Sequence, residues 1–103
     1  MALKNYTKIT ETPNDKFKII ENSEKCIVIN MMIHNGNATA NPSIKVQLTD
    51  EKDDILCTLI DQLIDPKETI FLDNFKLFMN DGQNLVVSSS ISNIHFLVSC
   101  KED

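Results

Sequence analysis

The chain of 103 residues suits one domain with a single, modest core. Its hydrophobic share of 42% and charged share of 24% are ordinary for a globular protein and argue against wholesale disorder. The formal net charge of -5 argues against a nucleic-acid partner, because phosphate binding requires a surplus of Lys and Arg.

The N-terminal region shows no targeting or membrane signal. It has no apolar run long enough for a signal peptide, and no stretch approaches the roughly 18 apolar residues that a membrane helix requires. We therefore expect a soluble cytoplasmic product with no membrane contact. Residues 1–15 are polar and include Pro13, which predicts an N-terminal arm or short edge strand ending in a turn, and residues 16–103 form the predicted β domain.

Residues 17–20 are a short strand candidate, and period-two alternation predicts the next strand at residues 25–33. The second is the strongest in the chain. One of its predicted faces is wholly apolar: Ile27, Ile29, Met31 and Ile33. The other predicted face is largely apolar as well: Cys26, Val28, Asn30 and Met32. Such a strand is either central and covered on both sides, or it covers a core on one side and a partner on the other.

The middle of the chain is predicted to form a β-hairpin. A turn at residues 34–37 precedes a half-buried strand at residues 43–49, and an acidic turn follows at residues 50–54. Residues 55–64 fit both helical and strand spacing. We favour a strand, because a tight acidic turn after a strand sets up a hairpin and Asp65-Pro66 soon breaks the segment.

The C-terminal third predicts further short strands and the turns between them. The strands are residues 69–72, 76–79, 84–90 and 94–100, the turns fall at Asp73-Asn74, 80–82 and 91–93, and a solvated tail covers 101–103. We therefore predict an all-β fold, a single antiparallel β-sandwich, jelly-roll or Ig-like, of roughly seven to eight short strands.

The chemistry-bearing residues do not form a recognisable site, so we predict no enzyme, no catalytic or metal-binding residues and no cofactor. His34 and His95 have no Cys or His at metal spacing. A pairing of Cys100 with His95 fails because the two lie on opposite faces of one strand. A calcium site in the 50–54 run lacks the glycine and the alternating oxygen ligands, so a solvated hairpin tip is favoured. The three cysteines are expected to be small buried hydrophobes: Cys26, Cys57 and Cys100.

Surplus apolar residues suggest a subunit contact. Val28 and Met32 point away from the expected core face of their strand, and Leu97 shares a face with His95 and Ser99. Apolar side chains on the second face of a sandwich strand indicate a covered surface. We predict Val28, Met32 and Leu97 as interface residues, with cover by the N-terminal arm as the alternative.

The second half of the chain has a regular pattern of short predicted strands separated by hairpin turns. Its elements are Leu59-Ile60-Asp61, Pro66, Glu68, residues 69–72, Leu77, Met79, Asp81-Gly82, Leu85, residues 88–90, Ile94, Phe96, Val98 and Ser99. It resembles small β-sandwich virion proteins of tailed bacteriophages, which serve in tails, necks or capsid decoration. The resemblance implies trimers or hexamers and no enzymatic activity.

Three roles follow as expectations. The first is a non-enzymatic virion structural protein, assembled in the host cytoplasm, that contacts itself and other virion proteins. The second is a ligand-binding or adhesion module for carbohydrate or peptide, although few aromatic residues count against sugar binding. The third is a host-directed regulator that binds one protein partner through an edge strand.

Overall fold

The computed structural model describes residues 2–73 and 76–102, and within them nine β-strands follow one another. The strands are β1 (Ala2–Ile9), β2 (Phe17–Ile20), β3 (Cys26–Asn35), β4 (Ser43–Thr49), β5 (Ile55–Leu63), β6 (Thr69–Leu72), β7 (Leu77–Met79), β8 (Asn84–Ser89) and β9 (Ile94–Glu102). Asn74 of the predicted turn and Asp103 of the predicted tail lie outside the described residues.

The strands form two antiparallel sheets with one core between them. The five-stranded sheet has the order β1-β9-β3-β6, with β7 also paired to β3, and the four-stranded sheet has the order β2-β8-β4-β5. Val28, Ile33 and Phe96 from the first sheet and Val46 and Val87 from the second belong to the same buried cluster. The predicted all-β class is confirmed, and the two sheets agree with the predicted sandwich.

The strand number is nine, above the predicted seven to eight, because the N-terminal segment supplies a strand. β1 pairs with β9 from Ala2↔Glu102 to Ile9↔His95, so the start of the chain forms an edge of the sandwich. The predicted solvated tail is corrected by the same pairing, because Lys101 and Glu102 continue β9 between β1 and β3.

A bulge in β3 changes which residues face the core. Val28 pairs with Cys100, but Asn30 pairs with Ser99, so two residues of β3 advance against one of β9. Cys26 and Val28 face inward before the bulge, and the inward positions after it are odd-numbered: Met31, Ile33 and Asn35. The prediction that Val28 points away from the core is therefore wrong.

The predicted hairpin is confirmed, and residues 55–63 are a strand. β4 and β5 pair in antiparallel register from Ser43↔Leu63 to Thr49↔Ile55. Asp50 holds the connecting turn, because its Oδ1 accepts N–H bonds from Lys52 (2.8 Å) and Asp54 (3.0 Å). This is the local Asx geometry that lets Asp initiate a turn.

Candidate functional site

The outward side of the five-stranded sheet, called the outer face below, carries an apolar surface. Residues directly opposite each other in antiparallel strands point to the same side. One row across the sheet is Thr7, Leu97, Met32 and Phe71, and a second is Leu3, Lys101, Ile27 and Phe78. Phe71, Phe78 and Leu3 are 63%, 65% and 67% exposed.

A polar row separates these two apolar rows: Asn5, Ser99 and Asn30. Ser99 Oγ donates a hydrogen bond to Asn5 Oδ1 at 2.7 Å. Open cavities lie on either side of this row. A cavity of about 220 Å³ touches Met32, Phe71 and Leu97, and one of about 310 Å³ lies among residues that include Ile27, Phe78 and Lys101.

The structure brings together two of the three predicted interface residues. Met32 and Leu97 are directly opposite each other in β3 and β9, half-buried on the outer face. Val28 is fully buried in the core and cannot contribute to a contact surface. The sequence missed Phe71 and Phe78, because only the pairing of β6 and β7 with β3 places them beside Met32 and Ile27.

A second apolar surface lies on the four-stranded sheet. β5 is its edge strand, paired with β4 alone among the described strands. Ile55, Leu56 and Leu63 of β5 are 52%, 50% and 61% exposed, and they are called the β5 surface below. The sequence predicted the strand but not its position at an edge, which depends on the order of the strands.

Three turns that are distant in sequence meet at one end of the sandwich: residues 21–25, 50–54 and 80–83. Gly82 donates its N–H to the Ser23 carbonyl at 2.9 Å, and Asn84 Nδ2 donates to the Asp50 carbonyl at 3.1 Å. These turns hold seven acidic residues and two lysines, and we call this the acidic end. The acidic residues are Glu21, Glu24, Asp50, Glu51, Asp53, Asp54 and Asp81.

The two histidines meet on the outer face. His34 and His95 are directly opposite each other, with ring centroids 5.7 Å apart in an edge-to-face arrangement. Thr69 Oγ1 lies 2.7 Å from His34 Nδ1, and Asn93 Oδ1 lies 3.0 Å from His95 Nε2. In the part of the chain that the structure describes, no three His, Cys, Asp or Glu side chains are grouped to hold a metal ion.

The cysteines divide into a buried pair and an exposed residue. Burial raises the pKa of Cys26 to about 11 and raises the pKa of Cys100 as well. Both thiols are buried as predicted, and such thiols are poor nucleophiles. Cys57 is exposed on β5, which corrects the prediction that all three are buried. Cys100 faces the core and His95 faces outward, so these two do not form a pair.

Comparison with known proteins identifies a similar fold. No family model and no curated protein matches this chain. The core of NLP from Drosophila has a solved structure with a TM-score of 0.55 to this chain and 10% identity; the match covers 99% of this chain and 97% of that chain. That structure was reported to give insight into pentamer formation and histone binding. At 10% identity the similarity shows the fold alone.

This finding corrects the predicted role as a structural protein of a bacteriophage virion. The similar solved structure was reported for what it shows of pentamer formation and histone binding, and not for a virion protein. Among residues 2–73 and 76–102 there is also no helix with the length and hydropathy to cross a membrane.

Proposed function

We propose that this chain is a non-enzymatic protein-binding module that works as a homo-oligomer. The observation that carries the proposal is the apolar outer face, where three large side chains stay more than 60% exposed in the single subunit: Leu3, Phe71 and Phe78. Exposed large apolar side chains grouped on one face of a sheet, here on both sides of the polar row Asn5, Ser99 and Asn30, mark a protein interaction site in soluble proteins.

The energetic gain from covering the outer face is substantial. Burying the exposed part of one Phe side chain, on the order of 100 Å², is worth about 2.5 kcal/mol. With two such side chains, and with the half-buried Met32 and Leu97 in the same row as Phe71, this face can supply the apolar part of an interface. The pentamer formed by the similar NLP core supports a second copy of the chain as the occupant.

The proposed partner of the oligomer is a basic protein. The acidic end concentrates charge on one side of the molecule, and Glu51, Asp53 and Asp54 there are exposed. Asp53 is paired with Lys18 at 2.8 Å, which leaves the other two available for a cationic partner. The histone binding of the NLP core supports this choice.

Light scattering on the purified protein tests self-association. We expect a mass several times that of one subunit. The Phe71→Ala variant should weaken association about 70-fold, the equivalent of about 2.5 kcal/mol. Phe17→Ala is the matched control, because Phe17 is also exposed but belongs to neither apolar surface. A monomeric wild-type protein would overturn this proposal.

Titration with core histones tests the partner. The double variant Glu51→Lys with Asp54→Lys should lose binding, and binding by the wild type should weaken as salt rises. The control is the double variant Glu11→Lys with Glu68→Lys, because both residues lie near the opposite end of the sandwich. At that end the Thr10 N–H bonds to the Ile94 carbonyl, and the Asn35 N–H bonds to the Glu68 carbonyl. Equal loss in both double variants, or no binding by the wild type, would contradict a basic partner.

A further inference from the structure

We propose that His34 and His95 form a binding site for a divalent transition-metal ion, with Cu²⁺ bound most tightly. The two residues lie directly opposite each other in β3 and β9, half-buried on the outer face. Neutral imidazole is a good ligand for Cu²⁺, Ni²⁺ and Zn²⁺, and a nitrogen site favours Cu²⁺ among these ions. The site does not depend on the self-association proposed above, so either proposal can fail without the other.

The bulge in β3 turns His34 toward the outer face. Cys26 and Val28 face the core before the bulge, and Ile33 faces it afterwards, so the inward positions change from even to odd numbers. Without the extra residue, His34 would point into the core. The sequence predicted no metal-binding residue because His34 and His95 are far apart in the chain, and only the pairing of their strands brings them together.

The distance between the two rings fits a shared metal ion. Their centroids are 5.7 Å apart. A metal ion about 2.0–2.1 Å from one nitrogen of each ring holds the two centroids roughly 4.5–6.5 Å apart, depending on the angle between the two bonds. The strands therefore do not have to move for both rings to reach one ion.

A hydrogen bond engages one nitrogen of each ring and leaves the other for the metal. Asn93 Oδ1 lies 3.0 Å from His95 Nε2, and an amide oxygen only accepts, so Nε2 carries the proton and Nδ1 keeps its lone pair. Thr69 Oγ1 lies 2.7 Å from His34 Nδ1 and can accept its proton, which leaves the lone pair on Nε2. Metal-binding histidines are commonly oriented by an oxygen acceptor on the second nitrogen.

The row of the sheet that holds the two histidines is uncharged and lies at its end. The other members of the row are Ile9 on β1 and Thr69 on β6. The next residues along the chain form the turns at 36–37 and 91–93, and the acidic end is at the opposite end of the sandwich. Because neither histidine is fully buried, water can supply the remaining ligands of a bound ion.

Titration with Cu²⁺ followed by electron paramagnetic resonance tests the site, on full chain first freed of metal by a chelator. We expect one Cu²⁺ per chain and a spectrum split by two imidazole nitrogens. His34→Gln and His95→Gln should each weaken binding at least 10-fold and leave one imidazole nitrogen in the spectrum. Thr69→Val, which removes the acceptor of the His34 ring, should weaken binding about 10-fold. Circular dichroism checks that each variant folds.

Two control variants keep both histidines. Cys57→Ser removes the exposed thiol, which is another ligand for copper, and Glu51→Lys with Asp54→Lys removes two carboxylates of the acidic end. Both controls should bind Cu²⁺ as tightly as the wild type, and calorimetry with Zn²⁺ repeats the comparison with an ion that has no redox chemistry. Full affinity in either histidine variant, loss of binding in Cys57→Ser, or a wild-type spectrum with fewer than two imidazole nitrogens would overturn the site.

Discussion

Asn35→Ala is the substitution with the largest expected effect on folding. Asn35 is fully buried at the end of β3. Its Nδ2 donates to the carbonyl oxygens of Ala40 (2.8 Å), Ile64 (3.2 Å) and Asp65 (3.1 Å). Its Oδ1 accepts from the backbone N–H and the Nδ2 of Asn37 at 2.9 and 3.0 Å. One side chain therefore ties the loop after β3 to the chain after β5.

The expected loss follows from these bonds. A net hydrogen bond is worth about 1 kcal/mol, and a buried carbonyl left without a donor costs about 1–3 kcal/mol. Because some of the freed groups can reach water, we expect Asn35→Ala to lower the free energy of unfolding by about 3 kcal/mol. In a domain of this size that corresponds to a drop in Tm of roughly 12–24 °C.

Urea unfolding followed by circular dichroism measures this loss, with thermal unfolding as a second readout. Asn30→Ala is the control, because Asn30 lies on the same strand but is exposed on the outer face. The control should change stability by less than about 0.5 kcal/mol. If both variants unfold at the same urea concentration, the hydrogen bonds of Asn35 do not support the fold as described.

Further predictions concern the thiols and the corrected face of β3. In native protein a maleimide should react first with Cys57, and with Cys26 and Cys100 only on unfolding, as mass spectrometry of digests can show. Burial raises the pKa of Cys26 from 9.0 to about 11, so the folded state favours the neutral thiol. Stability from this site is complete below pH 9 and is lost as pH rises through 11, and Cys26→Ala should reduce that loss in pH-dependent urea unfolding. Val28→Ala should lower the free energy of unfolding by about 2 kcal/mol, whereas Met32→Ala should change it little and weaken association instead. Equal effects of these last two substitutions on stability would refute the bulge assignment.

The local pattern of the sequence predicted most strands closely. The predicted strands at residues 17–20, 43–49 and 69–72 match the observed ones, because turn residues border them, and residues 43–49 also alternate regularly. β3 runs two residues into the turn predicted at 34–37 and ends at Asn35, since its partner strand β9 also begins there, at the pair Asn35↔Ile94. The pairing partner, not the local sequence, sets that boundary.

The sites were harder to predict than the strands. Met32 and Leu97 were found because each stands out as apolar on the second face of its own strand. Phe71 and Phe78 were missed because a short strand gives no sign of which sheet or side it joins. The sequence predicted only one part of the acidic end, the acidic turn at residues 50–54. The other two turns join it through hydrogen bonds between residues far apart in the chain.

Alternation of apolar and polar residues, with turn residues between the runs, was enough to determine the all-β class and the strands, because side-chain direction along a strand is a local property. The bulge that buries Val28, the edge position of β5 and the apolar outer face were decided by the tertiary structure. Each depends on which strands pair and in what register, and that choice is made by contacts between residues far apart in the chain.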